Sequence, residues 1–211
     1  MRIAIIGGSR GTGLATAHEA LARGHEVMIV SRTDPRLIRD GVAWLTGDAR
    51  DATVLERALT GVGAVVTALA VPQTWKNTNL FSQAEEALVH AMHHAGLKRT
   101  VLVTGLGAGD SRGRQGFVYD KLLFPAMLAR SYADKDRAEA VLQKSDLDWT
   151  IVRPGRLTNG VKKNRTEALL TPETYHYGAI SRADVASFVL DCIEQRTFLR
   201  QTPQLVDRKA G

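Results

Sequence analysis

Arg2-Ile3-Ala4-Ile5-Ile6-Gly7-Gly8-Ser9-Arg10-Gly11-Thr12-Gly13-Leu14-Ala15 stands at the start of the chain, and its reading decides the fold. An apolar run leads directly into three spaced glycines, Gly7, Gly11 and Gly13, and then into a helical pattern. Strand, glycine turn and helix in that order turn a short glycine match into an expected dinucleotide site. Glycine permits the tight turn and lets the backbone approach a pyrophosphate; free N–H groups at the helix start then attract its charge. On this reading Gly7, Ser9, Arg10, Gly11, Thr12 and Gly13 form the phosphate cradle.

The second half of such a site lies at the end of the next strand. Glu26-Val27-Met28-Ile29-Val30 reads as that strand, and it runs into Ser31-Arg32. A cofactor with a free ribose 2′-hydroxyl is usually held there by an acidic residue. Arg32 occupies the position instead, Arg10 rises from the glycine loop to meet it, and Arg36 follows within reach. Planar guanidinium forks pair with phosphate oxygens, so the expected cofactor is NADP, with NADPH preferred over NADH.

With 211 residues the chain is long enough for a sizeable core, and no Pro/Gly/Ser cluster or shift in composition marks an internal linker. One domain spanning 1–211 is expected. No apolar run is long enough to span a bilayer, and the first residues read as strand rather than signal peptide. A lone cysteine, Cys192, forms no internal disulfide, which suits a reducing, cytoplasmic setting. It lies among Val185, Phe188, Val189 and Ile193 at helical spacing, so it reads as a buried apolar thiol rather than a nucleophile. The net charge of +6 comes from basic residues spread along the chain, without an aromatic-interleaved patch or helix-turn-helix spacing. An anionic cofactor and a small, planar, anionic substrate account for it better than nucleic acid; no membrane partner is expected, and the chain reads as a monomer or homodimer.

Strand and helix patterns keep alternating, the mark of a parallel sheet covered on both faces. Val42-Ala43-Trp44-Leu45-Thr46 is a short strand ending in Gly47-Asp48-Ala49, and Asp51 caps a helix through Val54, Leu55, Ala58 and Leu59. Gly63 to Ala70 is a near-continuous apolar run, as expected of a central strand. A helix over about 79–95 follows, then strands at Arg99–Gly105 and Trp149–Gly155. Right-handed crossovers between such units predict an α/β, doubly wound Rossmann sheet with helices on both faces. Its ligand crevice lies beyond the carboxyl ends of the strands. That places Asp48, Ala49, Leu69, Ala70, Thr104, Gly105, Pro154 and Gly155 around the cofactor, with Asp48 able to accept from an adenine amino group.

These strand ends, Gly47-Asp48, Leu69-Ala70, Val103-Thr104-Gly105 and Ile151-Val152-Arg153-Pro154-Gly155, together resemble the atypical short-chain dehydrogenase/reductases. The likeness is to the biliverdin-IXβ/flavin reductase and NmrA-like NAD(P)H-binding group, from Arg2 to about Ile193. It implies that Asp48 and Ala49 flank the adenine, that Leu69 and Ala70 line the cofactor path, and that Thr104 and Gly105 sit beside the nicotinamide. Pro154-Gly155 would pass the carboxamide end. The chain departs from the group in two places. Arg10 replaces the middle glycine of G-x-x-G-x-x-G, and Gly105 stands where related reductases often carry a serine.

Alcohol and ketone dehydrogenases of the superfamily use Tyr-x-x-x-Lys, the lysine lowering the pKa of a proton-donating tyrosine. No such pair exists here: Tyr132 and Lys135 are one residue too close, and Tyr119 has Leu123 at the required spacing. The candidate catalytic groups are therefore Thr104, Ser111, Tyr132 and Lys135, the last two able to share a helix face. Hydride transfer to a stacked, conjugated acceptor needs little more from the protein than binding and orientation, because water can supply the proton. The glycine-rich stretch 105–116 frames the substrate mouth within a 105–120 loop, and 155–181 supplies the other substrate-side segment. Arg112, Arg114 and Lys135 are candidate contacts for anionic substrate groups, and His176, between Tyr175 and Tyr177, is a further candidate. His90, His93 and His94 lie opposite the apolar stripe of their helix without a completing ligand motif, so no metal site is assigned.

Two functional classes fit. One is an NADPH-dependent oxidoreductase that reduces a flavin or similar flat conjugated acceptor, as flavin and biliverdin reductases do. The other is a non-catalytic NmrA-like regulator that senses NADP(H). A sugar-nucleotide epimerase fits less well, for want of the Tyr-x-x-x-Lys pair and of an extended C-terminal substrate domain.

Overall fold

The opening apolar run forms β1 (Arg2–Ile6), buried from Ile3 onward. In the computed structural model, which describes residues 1–35, 37, 40–71, 79–111 and 129–208, β1 is the third strand of an eight-stranded sheet. The chain continues through α1 (Gly11–Ala22), β2 (Glu26–Ser31), β3 (Val42–Thr46), α2 (Ala52–Ala58) and β4 (Ala64–Thr67). There follow α3 (Leu80–His94), β5 (Arg99–Val103), α4 (Ala129–Lys144), β6 (Asp148–Pro154), β7 (Arg156–Thr158) and β8 (Thr166–Leu169). Next come β9 (Ala179–Ser181), α5 (Arg182–Glu194) and β10 (Gln204–Asp207).

Strand order is β3-β2-β1-β4-β5-β6-β10-β8, and every pair is parallel except β10 with β8. This is the doubly wound Rossmann arrangement, with its reversal between β1 and β4. β7 and β9 form a separate parallel pair. The strand expected over 63–70 stops at Thr67, and Ala68 to Ala70 leave the sheet to border the crevice. The sequence pattern left β7 to β10 unassigned because they are only three or four residues long, too short for a periodicity to register.

Alternating strand residues divide the core. Ile6, Val65, Leu102 and Ile151 pack under α2, α3 and α4, whereas Ile5, Val66, Val101 and Val152 face α1 and α5. Cys192 belongs to the second layer, where burial pushes its thiol up to about 11 and leaves it unreactive near neutrality. Asp51 does cap α2, accepting from the backbone of Thr53 and Val54. His93 and His94 are exposed on α3 and face Asp146 and Glu56 respectively. Among the described residues, no helix is long and apolar enough to cross a membrane.

Two polar features of the α3 layer matter for the site. Asn79 gives α3 no side-chain cap; instead the buried Asp134 of α4 accepts from Phe81 N (2.9 Å), Ser82 N (3.3 Å) and Ser82 Oγ (2.6 Å). A carboxylate from one helix thus satisfies the orphan donors of another and locks the two together. One turn further along α3, Glu85 is fully buried, and its carboxyl oxygens and the Thr67 hydroxyl have no hydrogen-bond partner among the described residues.

Burial pushes the Glu85 carboxyl up to about 8, against a lowering influence of Thr67. Because the folded value exceeds that of an ordinary glutamate, Glu85 supports the fold at acid pH. That support is lost as pH rises from 4.5 towards 8. In urea denaturation, Glu85→Gln should gain about 2–4 kcal/mol over the parent between about pH 5 and about pH 9. Parallel stabilities across that range would refute a buried neutral acid.

Candidate active site

The site begins at the β1–α1 turn. Gly7 has φ +94°, and a Cβ on it would lie 2.7 Å from the Ala68 carbonyl oxygen. A Cβ on Gly13 would strike the Gly7 carbonyl oxygen, so Gly13 lies beneath the turn and lets helix and loop touch. Arg10 is the N-cap residue of α1 but makes no side-chain cap bond, and the first turn has no acidic residue. The leading N–H groups of α1 are therefore left to an external anion.

This turn forms one wall of a cleft of about 670 Å³ along the carboxyl ends of the strands. Gly7, Ser9, Arg10, Gly11 and Thr12 line it, and so do Ser31, Arg32 and Thr33 after β2. Thr33 Oγ1 donates to Ser9 Oγ at 3.1 Å, lacing the two loops together. Arg10 and Arg32 both line the cleft with exposed side chains, an arrangement open to a doubly charged phosphate. Arg36 lies outside the described residues. Asp48 and Ala49 also line the Arg32 end, with Leu69 and Ala70 along the path from it. Asp48 accepts from Arg50 Nε (2.9 Å) and Nη2 (2.8 Å); that pairing, aided by the charge of Arg32, holds its carboxyl down at about 2.

At the other end stand Thr104, Tyr132 and Lys135, with Phe81 and Leu157. Lys135 Nζ donates to the Thr104 carbonyl oxygen at 2.9 Å and lies 4.7 Å from the Tyr132 ring centroid and 5.5 Å from that of Phe81. Burial draws its ammonium down to about 8, partly opposed by the charge of Glu139. Gly105 has φ +151°, and a Cβ there would sit 3.2 Å from Tyr132 Oη and 3.7 Å from Lys135 Nζ. The pair that is one residue too close in sequence therefore converges in space, at i and i+3 on α4, over the backbone of Gly105. A serine at 105 would crowd the Tyr132 hydroxyl, which would have to give by a few tenths of an ångström.

Several expected residues lie elsewhere. Gly105 and Pro154 are buried and Gly155 half-buried, all three outside the lining; Pro154 accepts from Leu106 N at 3.0 Å, and a Cβ on Gly155 would strike the Gly178 carbonyl oxygen. These three shape the floor from behind. Ser111 is fully buried, its hydroxyl donating to Ala108 O (2.6 Å) and accepting from Gly107 N (2.8 Å). That hydroxyl holds its own turn and does not reach the cleft. His176 is exposed outside the lining, its Nδ1 3.2 Å from the Thr174 carbonyl oxygen. Arg112 and Arg114 lie outside the described residues.

Sequence reading missed the group that braces the Thr104–Lys135 end of the cleft. Thr104 Oγ1 donates to Glu139 at 2.6 Å, Arg153 donates to both Glu139 oxygens (3.2 and 2.6 Å), and Arg153 also pairs with Asp110. Arg153 and Glu139 are each 2% exposed. Burial pulls the Arg153 guanidinium down, but its two carboxylate partners outweigh this and hold it above its ordinary value. The partners join β5, α4, β6 and the turn after β5. Arg153 sits in the motif already quoted, yet only long-range contact reveals its partners.

The family comparison agrees with the geometry. Residues 7–196 match the NAD(P)H-binding family model, and the chain belongs to that family. Its fold and cleft are those of an atypical short-chain dehydrogenase/reductase, an NAD(P)H-dependent class of oxidoreductase. Among solved structures, ChuY, an anaerobillin reductase from Escherichia coli O157:H7, is 27% identical, with a TM-score of 0.84 over 100% of this chain and 99% of that one. The uncharacterized protein YwnB of Bacillus subtilis (strain 168) is 27% identical over 203 residues, 92% of each chain. The uncharacterized sugar epimerase YhfK of the same strain is 32% identical over 108 residues, 51% of this chain and 44% of that protein. This chain thus matches less than half the length of one curated relative and nearly all of another.

The glycine turn, whose close backbone contacts at Gly7 and Gly13 hold the uncapped start of α1 at the cleft, fits the diphosphate of that family's cofactor. Breaking the buried brace should be costly, since Glu139→Gln leaves Arg153 without its enclosed counter-charge. Chemical denaturation of this variant should show a loss of about 3–5 kcal/mol, and an unchanged midpoint would contradict the brace.

Proposed function

We propose that the protein is an NADPH-dependent reductase of a flavin or similarly flat, conjugated acceptor, such as an open-chain tetrapyrrole. The observation that carries this reading is the convergence of Tyr132 Oη and Lys135 Nζ over Gly105, at the opposite end of one cleft from Arg10 and Arg32. The likeness to an anaerobillin reductase supports the same class of acceptor.

NADPH, when bound, supplies the hydride. The protein's own residues do the rest. Arg10 and Arg32 pair with a 2′-phosphate, and the N–H groups at the start of α1 receive the diphosphate. Phe81, Leu157 and the Tyr132 ring give the acceptor end apolar, partly aromatic walls suited to a planar molecule. Lys135, tied to Thr104 O, presents a cation to carboxylate or phosphate groups of the acceptor. Held near 8, its ammonium can also release a proton at Nζ more readily than an ordinary lysine, with the Tyr132 hydroxyl beside it.

A screen of FMN, riboflavin and biliverdin that follows absorbance of the reduced nicotinamide tests this directly. Oxidation with at least one acceptor is expected. Tight NADPH binding with no oxidation would favour the regulatory reading instead. Arg32→Ala should weaken NADPH by about tenfold or more while leaving NADH nearly unchanged, and equal losses would remove the phosphate clamp.

Protonated Lys135 also predicts a pH profile. In the parent protein kcat/KM for an anionic acceptor should fall as pH rises through about 8. Lys135→Met should lower the acid plateau and lose this limb; a variant that keeps the limb would assign it to another group.

A further inference from the structure

Among the described residues, four cationic side chains line the cleft: Arg10, Arg32, Lys135 and Arg182. The first two stand at the expected 2′-phosphate end and Lys135 at the acceptor end. Arg182 has no part in the reading so far. We propose that it is a further cofactor-binding residue, closing over the diphosphate from the side opposite the glycine turn. The inference rests on the nucleotide reading of the cleft and deepens it.

Arg182 opens α5, and its backbone is firmly placed. Ser181 caps the helix, its hydroxyl accepting from Asp184 N at 3.0 Å and donating to Asp184 Oδ2 at 2.6 Å. Asp184 Oδ1 in turn accepts from Lys163 N and Asn164 N, each at 2.9 Å, so the preceding loop is tied to the same turn. From this base the half-buried side chain of Arg182 reaches across to the first turn of α1. Its Nε lies 3.8 Å from the position of a Cβ on Gly11, and among the described residues no other heavy atom outside the local chain comes within 4 Å of that point.

The guanidinium is oriented but not neutralised. Nη1 donates to Asn159 Oδ1 at 2.6 Å, which fixes the plane of the fork. No carboxylate pairs with Arg182 among the described residues, whereas Arg23 holds three and Arg153 two. An arginine carries five N–H donors, so the bond to Asn159 leaves several for a ligand. The one acidic side chain in the lining among the described residues, Asp48, already pairs with Arg50.

Arg182 therefore stands close beside the uncapped start of α1, lining the same cleft. An anion held there receives backbone N–H groups from one side and a guanidinium from the other. The chemistry fits a diphosphate bridge rather than a 2′-phosphate, which belongs beside Arg32, or an acceptor carboxylate, which belongs beside Lys135. Gly11 is suited to this meeting, because at φ +61° it presents bare backbone to the opposing side chain.

Calorimetric titration of the parent, Arg182→Gln and Arg182→Lys with NADP⁺, NAD⁺ and adenosine 2′-phosphate tests the assignment. Arg182→Gln should bind both dinucleotides about tenfold more weakly, with adenosine 2′-phosphate unchanged, and Arg182→Lys should recover part of the loss. Unchanged dinucleotide affinity in Arg182→Gln, with any loss confined to the acceptor KM, would overturn the proposal and move Arg182 to the acceptor side. An equal loss on adenosine 2′-phosphate would also overturn it. If Arg182→Gln does not fold, Arg182→Lys decides: it should lower affinity for the dinucleotides alone. A parent protein that binds none of the three probes would instead remove the nucleotide reading itself.

Discussion

The cleft depends on a close approach of backbone to backbone at the β1–α1 turn. Gly7 runs beside the chain leaving β4, and Gly13 brings the first turn of α1 against the carbonyl of Gly7. Any side chain at either point would push α1 away from the strand ends. It would also move the uncapped N–H groups that make the turn an anion site. The approach is possible because β1 is pinned between β2 and β4 by parallel ladders on both sides. The central strand sets the place, glycine removes the obstruction, and the helix start supplies the charge.

The other end of the cleft is built on a different principle. Tyr132 and Lys135 stand on α4, a helix with a strongly polar sequence that is held against the sheet by specific polar contacts as well as by the buried Ala138 and Leu142. Asp134 fastens it to the start of α3, and Glu139 fastens it to β5 and β6 through Thr104 and Arg153. Tyr132 and Lys135 lie on the same helix as these two anchors, so their position over Gly105 follows from where the anchors are tied. Charges enclosed in this way contribute less to net stability than to a unique arrangement, because desolvation offsets much of their attraction.

The cofactor half of the site was legible because it is local. Glycines, Arg10 and Arg32 occupy turns directly after predicted strands, and a strand end in a parallel sheet has only one crevice to face. The acceptor half was legible only in part. Tyr132 and Lys135 were visible as a pair, but their spacing says nothing about which way α4 faces. Ser111 looked like a candidate hydroxyl, yet it closes its own turn through Gly107 and Ala108. His176 shared a segment with the site but not its direction. Arg182 escaped notice because nothing near it in the sequence distinguishes it from the other arginines of the chain.

From the sequence alone came the strand–turn–helix start, the doubly wound sheet, the order of its first six strands along the chain, and the basic character of the second strand end. These follow from short-range rules: apolar periodicity, glycine conformations and the position of charges relative to strand ends. Tertiary structure decided that Tyr132 and Lys135 meet over Gly105, that Glu139 and Arg153 form a buried brace, and that Arg182 crosses to α1 from a helix more than 150 residues away in the chain. Such meetings depend on how helices dock on a completed sheet, and no local pattern encodes the partner of a polar side chain whose neighbour is distant in sequence.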